Sequence, residues 1–456
     1  MFKKVELWIL GLLCVIFIII LIGYGSILRN GLKGGNRFPQ LYKIAIFFAE
    51  VPKNFKEILL IFKDPHHDLS IKDNVHSSKP RFKKFIKVNR QELLLLARFD
   101  ADIGRSIVEI IDLNNFSVLH TYKPNIRKIN NETDAGKEEF SLLNKNFNEK
   151  KYNIYHPLLD LEGNLLFHGM YTPLSKIDFC SKLLWINDVD NFHHSNNVDS
   201  KGNYWVPSTI FPHSVDKNLV GDKHGEFRDD AITKISSNGE ILYQKSISKI
   251  LSENNLDHLI FGQSTFLWDP IHLNDIQPTL KDGIYWKKDD IFLSLRNLSM
   301  IIHFRPSSNK IVNILTGSFY MQHDVDIISE KEISIFNNNV LNTQRGNKSM
   351  VSNNEILIYN FETKNYIKKN ENGMKTNNVK SATGGLVDFL KDKSIMIEDE
   401  NSGRILFFNS NNDLEWEFIN KAKNGKIYPV SWARIIQNEE LINNTLKNIE
   451  NKKCIN

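Results

Sequence analysis

The sequence predicts an all-β fold: a six-bladed β-propeller preceded by an N-terminal transmembrane helix and a short helical segment. Three observations lead there. From about Arg90 onward, short β-branched, aliphatic and aromatic runs alternate with turn residues and group into six units, each a small meander of roughly 40–50 residues as in propellers. No long, strongly periodic helix interrupts them, which argues against an α/β fold. Ahead of them, Leu7 to Leu28 is one apolar run. The implied division is a span at 1–28, a helical and loop linker at 29–89, and the propeller at 90–456.

Composition narrows the function classes. Lys and Arg total 58 against 53 acidic residues, a net charge of +5. That excess is too small to point to nucleic acid, and no basic stripe with interleaved aromatics appears. The three cysteines, Cys14, Cys180 and Cys454, form no CxxC or zinc spacing, so no cysteine metal site is expected and the metal expectation is none. A Cys180–Cys454 disulfide is open, with nothing in the sequence to support it.

The apolar run, with Leu12-Leu-Cys-Val-Ile-Phe-Ile-Ile-Ile-Leu-Ile22 at its centre, reaches the roughly 20 residues a bilayer requires. A cleaved signal has a shorter core of about 7–15 residues. An uncleaved anchor is therefore favoured, although Gly23-Tyr-Gly25 keeps cleavage open. Lys3 and Lys4 favour a cytoplasmic N-terminus while Arg29, Lys33 and Arg37 follow the span, so the large domain is expected on the periplasmic or exoplasmic side. Leu41 to Phe62, interrupted by Pro52, reads as one or two amphipathic helices, either at the membrane surface or packed under the domain. His66, His67 and His76 sit in a polar loop, where histidines are more often solvated than metal-bound.

The six units are Glu92–Arg98 with Ser106–Asp112, His156–His168, His194–Ser208 with Ala231–Gln244, Ile284–Leu315, Val325–Asn337 with Glu355–Tyr366, and Leu386–Glu398 with Gly403–Phe418. Within a unit, an inner strand begins, a Gly-Asn type of turn follows, and a second strand returns. His156, His194 and His323 each stand at such a strand start, and His272 opens the fourth unit before an insertion. His194 precedes Gly202 by the interval that separates His323 from Lys331. Inner strands of a propeller line its channel, so histidines at one repeated position converge there.

Trp268 to Asn339 concentrates the chemistry. It holds Asp269-Pro-Ile-His272-Leu-Asn274, Ser294-Leu-Arg296-Asn297, Gln322-His323-Asp324 and Phe336-Asn337-Asn338. Arginine offers fixed charge and forked donors to an oxyanion. Histidine serves as nucleophile, acid or base near neutral pH. Taken singly, His323 reads as a hydrogen-bonded structural histidine and Arg296 as a surface cation.

Together these pieces resemble the arylsulfotransferase family of β-propeller enzymes: a His-x-Asn after Trp-Asp, a Ser-x-Arg-Asn at a strand end, a Gln-His and a Phe-x-Asn-Asn. The resemblance runs from about Leu93 to Ser431-Trp-Ala-Arg434, three quarters of the chain. It implies a six-bladed propeller that moves a sulfuryl group from an aryl sulfate to a phenolic acceptor. No cofactor is implied, and in particular no phosphoadenosine donor; no phosphate-cradling Gly-rich loop precedes a helix. It assigns the sulfuryl-accepting nucleophile to His323, oxyanion contact to Arg296, and help with the phenol oxygens to His272 and His194. His193-His194 matches a histidine pair usually followed by Asp, where this chain has Ser195. The repeat register makes His194 the inward member, with His193 the alternate. Asn274, His193 and Asn338 are the substrate-binding candidates, although turn roles suit Asn274, Asn337, Asn338, Glu398, Asp399 and Arg434 better. Arg98 is a minor candidate. Trp286, Trp416 and Trp432 read as packing residues, and Trp268 as packing or substrate wall.

Two other functions fit the same pattern: an anchored propeller that binds partners without catalysis, and a hydrolase or lyase acting on a polyanionic glycan or sulfate ester. Convergence or scatter of His194, His272, Arg296 and His323 separates the first from the enzymes. The expected partners are the small-molecule donor and acceptor and the membrane, not nucleic acid. The sequence does not set the oligomeric state, and a homodimer stays open. Five sequons, at Asn115, Asn131, Asn297, Asn347 and Asn443, carry little weight in so Asn-rich a chain.

Overall fold

A computed structural model describes residues 6–454 except 33–36, 64–68, 72–74, 135, 141–142, 144–148 and 344–347. Lys3, Lys4, Lys33, His66, His67 and Asn347 lie outside the described residues. The chain forms two compact units, Met1–Asp68 and Leu69–Asn456.

The first unit holds two helices. Helix α1, Leu7–Leu32, has the length and apolarity of a membrane span or a signal sequence, and most of its Leu and Ile side chains are exposed. Helix α2, Pro39–Lys63, runs through Pro52 without a break. Tyr24 of α1 donates its hydroxyl to the Ala45 carbonyl of α2, 2.8 Å away.

The second unit is an all-β, propeller-like arrangement of antiparallel sheets. Three sheets follow the chain simply. Leu273–Pro278, Ile291–Leu295, Met300–Arg305 and Lys310–Leu315 form one; Val325–Ile327, Glu332–Asn337, Glu355–Asn360 and Asn365–Lys369 form another. In the third, Leu386–Phe389, Ile395–Asp399, Arg404–Phe408 and Leu414–Ile419 are joined at the outer edge by Phe82–Lys84, a segment the sequence reading places in the linker. A fourth sheet sets Arg434–Ile436 inside Leu93–Asp100, Arg105–Asp112 and Val118–Tyr122. Both flanks of the unit are thus stitched by strands far apart in sequence. The remaining large sheet has eight strands, from Tyr155–Leu159 to Ile241–Ser246. Its halves meet at only two residue pairs, Ser208 with Phe192 and Thr209 with Asn191.

The turns explain why these runs fold back. Asp160-Leu-Glu-Gly163-Asn164 and Asp199-Ser-Lys-Gly202-Asn203 are the same turn: each Asp side chain accepts the N–H two and four residues on, the Asx pattern that competes with strand pairing. Both glycines have φ of +79°, which glycine alone adopts freely.

Apolar clusters fill the spaces between successive groups of four strands. Leu94, Leu96, Phe407, Trp416 and Trp432 belong to one, with Phe407 stacked on Trp416. Another packs Leu166, Leu174 and Phe192 against Tyr204 and Val206, across the two halves of the eight-stranded sheet. The inner strands are tied by buried acids instead. Asp230 accepts the N–H of Leu273, Asp275 that of Val325, Asp324 that of Val387 and Asp388 that of Ile435. Each carboxylate therefore holds the next group's inner strand. Burial pushes Asp275 and Asp388 up to about 6. The Arg434 guanidinium opposes that rise while binding the carbonyls of Pro157 and Asn196.

The Cys180–Cys454 pair, unsupported by sequence, is a disulfide closing 274 residues. It fastens the chain beyond helix α3, Glu439–Asn451. Asn444 and Asn448 of that helix donate to the carbonyls of Leu161 and Glu162.

Candidate active site

One cavity of about 350 Å³ gathers His194, His272, His323 and Arg296 with Tyr155, Tyr171, Arg228, Trp268, Asp269, Gly384, Glu400 and Trp432. The imidazole of His194 lies 5.2 Å from that of His272 and 6.2 Å from that of His323, centre to centre.

His194 and His272 each stand just before an inner strand in the left-handed backbone region, with φ of 59° and 55°. Trp432 does the same at 58°. A non-glycine residue there is held by its surroundings, at a cost of about 1–3 kcal/mol. His323 does not share this conformation; Met321, two residues earlier, does. The common register read from sequence thus places these rings near one another through different backbone routes.

The partners of His323 and His272 set their tautomers. Asn338 spends both amide hydrogens on the carbonyls of Ser381 and Gly384, so its oxygen accepts Nδ1–H of His323 at 2.7 Å. Nε2 of His323 carries the lone pair and accepts the Gly384 N–H at 2.9 Å. For His272, Nδ1 lies 2.7 Å from Asp269 Oδ2 and 3.1 Å from Arg228 Nη1, which itself lies 2.8 Å from that oxygen. The carboxylate, the closer of the two and able only to accept, draws the proton to Nδ1 and leaves Nε2 as base. Burial lowers the His272 pKa against the pull of Asp269. His272 and Arg228 in turn hold Asp269 below the usual carboxylate range, against the effect of its burial.

His194 has no acid of its own. Its Nδ1 meets Nδ1 of His193 at 2.8 Å, and His193 Nε2 lies 3.4 Å from Asp230. His193 Nε2 and Asp230 Oδ1 form no hydrogen bond despite that approach, and one of the two Nδ1 atoms donates to the other. Burial, then the neighbouring imidazoles, push the His194 pKa well down. Ser195 faces elsewhere, accepting the Ile276 N–H.

Arg296 is buried at 5% exposure. Its Nη1 donates to Asn297, while Nε and Nη2 have no hydrogen-bond partner. Those two N–H groups form the flat edge that grips an oxyanion with two parallel bonds.

The other candidates fall behind this lining or away from it. His193 and Asn338 each back a cavity histidine. Asn274 donates to the Gln322 carbonyl, out of the cavity. Asn337 closes a turn onto Tyr320 and Asn339. Arg98 is paired with Glu109 and Asp100 between strands. Asp399 binds Arg404, and Glu398 accepts the N–H groups of Trp432 and Ala433. His156 accepts the Asn196 N–H and packs edge-on against Trp432. Trp286 and Trp416 are core residues, whereas Trp268 is 53% exposed.

Sequence reasoning missed Arg228, Tyr171, Tyr155 and Glu400, and Asp269 was legible only as a neighbour of His272. The Arg228 guanidinium is sandwiched 4.5 Å from the Tyr171 ring and 4.6 Å from that of Trp268. In the run Phe227-Arg-Asp-Asp230 it looks like an ordinary loop cation, and no spacing signals its aromatic partners. The Asp269–His272 spacing across Pro270 was the one available local signal.

Among known proteins, the arylsulfotransferase (ASST) family model matches residues 161–421. No curated protein matches the chain. Among solved structures, a protein of unknown function from Bacteroides caccae is 12% identical, with a TM-score of 0.48, covering 76% of this chain and 99% of its own. Virginiamycin B lyase from Staphylococcus aureus is 12% identical, with a TM-score of 0.34, covering 58% of this chain and 69% of the lyase. TolB from Acinetobacter baumannii is 7% identical, with a TM-score of 0.42, covering 76% and 67% respectively. Since the matched segment is more than half of the chain, the protein belongs to the arylsulfotransferase (ASST) family.

Proposed function

We propose that this protein transfers a sulfuryl group from an aryl sulfate to a phenolic acceptor through a sulfohistidine, without a nucleotide donor. The observation that carries the reading is the unpartnered Nε–Nη2 edge of buried Arg296 in a cavity lined by three imidazoles. An unsatisfied buried guanidinium is costly, and an anion in the cavity satisfies it.

In the first half-reaction, Nε2 of His323 attacks sulfur and the sulfur–aryl oxygen bond breaks. The Gly384 amide, which holds that lone pair at rest, leaves Nε2 as the nitrogen attacks. Asn338 keeps the ring oriented and bears the growing positive charge through Nδ1–H. Arg296 grips the sulfonate oxygens, where the charge is spread in transfer. In the second half, His272 or His194 takes the proton of the acceptor phenol through Nε2, and the phenolate removes the sulfuryl group from His323. The imidazolium so formed, stabilised by Asp269 in the case of His272, returns its proton to the next leaving phenolate. Trp268 and Tyr171 offer flat apolar faces to the aryl rings.

The same reading counts the eight-stranded sheet as two blades, giving six. Its two-pair junction and the apolar cluster packed between its halves support that count. It also places the larger unit on the non-cytoplasmic side of a membrane anchored by α1. The Cys180–Cys454 disulfide supports this, because such bonds persist in oxidising compartments.

The test is mass spectrometry of protein quenched with 4-nitrophenyl sulfate and no acceptor. A sulfuryl adduct on His323, lost with His323→Asn, is the expected result. Full activity of His323→Asn would overturn the nucleophile. Release of free sulfate with no dependence on a phenol would replace transfer by hydrolysis.

A further inference from the structure

Glu400 stands in the cavity with no described role. It follows the strand Ile395–Asp399 and lines the same space as the histidines and Arg296. Its Oε2 accepts the Gly385 N–H at 3.0 Å and the Trp432 indole N–H at 3.1 Å. Among the described residues no hydrogen bond reaches Oε1, and no salt bridge reaches either Glu400 or its neighbour Glu398. Glu398 spends both oxygens on the N–H groups of Trp432 and Ala433, at 2.6 and 2.7 Å. Gly384, whose amide caps His323, lies directly against the Glu400 carboxyl. A Cβ at Gly384 would run into that carboxyl, and φ there is +68°. The acid is therefore built against the nucleophile's own loop.

Two buried carboxyls that both bond to Trp432 and have no cation resist ionising together near neutral pH. A carboxylate facing a site for a sulfonate would repel it, whereas a carboxylic acid would be a donor to it. On the sulfuryl-transfer reading above, we propose that Glu400 donates an O–H hydrogen bond from its carboxylic acid to the substrate's sulfonate group, and that ionisation of Glu400 closes the site to anions.

The surroundings of Glu400 isolate its titration. Burial, then the neighbouring Glu398, push it up to about 8, and burial pushes Glu398 to about 7. Tyr155 packs near both acids and Tyr171 lies further along the lining; burial raises both phenols. His323, reached through Gly384, sits on the other side of that loop. Burial lowers His194 and His272, so neither changes charge above neutrality. Asp399 lies behind Glu398 and is paired with Arg404. Arg228 and Arg296 stay cationic, and the remaining charged group of the lining, Asp269, is paired with Arg228.

The probe is benzenesulfonate, which carries the aryl ring and the sulfonate but no scissile oxygen. Its affinity for the full-length protein in detergent is measured by calorimetry across the alkaline range. For the wild type, affinity is level up to about pH 8 and then falls, approaching tenfold per pH unit, as expected for one linked proton. Glu400→Gln keeps a donor and has no proton to lose, so the break disappears. Glu398→Gln removes the neighbouring charge, so the break moves to lower pH. A wild type without the break, a break that survives Glu400→Gln, or one unmoved by Glu398→Gln overturns the proposal. Because benzenesulfonate is not turned over, these outcomes are independent of sulfuryl transfer, which 4-nitrophenyl sulfate reports separately.

Discussion

Replacing Arg296 with methionine should move activity and stability in opposite directions. On the proposed function, the two unpartnered N–H groups, Nε and Nη2, make two charge-assisted bonds to a sulfonate. Hydrogen bonds to charged groups contribute about 1.5–3 kcal/mol each, so losing both removes roughly 3–6 kcal/mol of transition-state stabilisation. By the relation of about 1.4 kcal/mol per tenfold, kcat/KM for 4-nitrophenyl sulfate falls roughly 10²- to 10⁴-fold. Without ligand the same groups are buried and unsatisfied, at about 1–3 kcal/mol each. Methionine has a similar reach and no such need. It leaves only the Asn297 side-chain oxygen without its 2.7 Å partner. The net gain is about 1–2 kcal/mol in the urea unfolding free energy of the ligand-free protein. Initial rates and urea melts on the same preparation decide it. A variant within tenfold of wild-type kcat/KM, or one clearly less stable than wild type, would refute the account of Arg296 as a preformed anion grip.

Other perturbations follow from the same geometry. Asp269→Asn removes the negative charge that favours the His272 imidazolium and takes away the ion partner of Arg228. Transfer should drop at least about a hundredfold, most for weakly acidic phenols that need base help, and an unchanged rate with such acceptors would count against the dyad. His168, buried with its pKa lowered to about 3 by desolvation, binds its proton more tightly in the unfolded chain. Stability should therefore be full above the unfolded value near 6.5 and fall by up to about 1.4 kcal/mol per pH unit below it. His168→Asn should flatten that acid limb, and urea midpoints measured between neutral and mildly acidic pH will show whether it does. Cys454→Ser opens the 274-residue loop and should lower stability by about 2–5 kcal/mol. It should also make helix α3 cleavable by protease, and resistance equal to wild type would show that the helix docks without the bond.

The sequence by itself determined a good deal. Strand alternation, the paired Asp-x-x-Gly-Asn turns and the apolar run are local features, set by backbone preference and burial within a few residues. They announced the β-units and α1 directly. The short motifs around His272, Arg296 and His323 could likewise be placed, because each lies at a strand end that its own turn chemistry defines. Only the tertiary structure decided what those residues touch. The approach of His193 to Asp230 joins residues 37 positions apart, and His323 depends on Gly384 and Asn338 from loops beside different strands. Arg228 owes its place to Trp268 and Tyr171, and Glu400 keeps its proton because Glu398 and burial deny it a counter-charge. The strand Phe82–Lys84 and the inner strand Arg434–Ile436 were invisible for the same reason, and the Cys180–Cys454 bond could only be left open. Pairing between distant segments and the desolvation of a carboxyl are properties of the closed arrangement, and no local spacing encodes either.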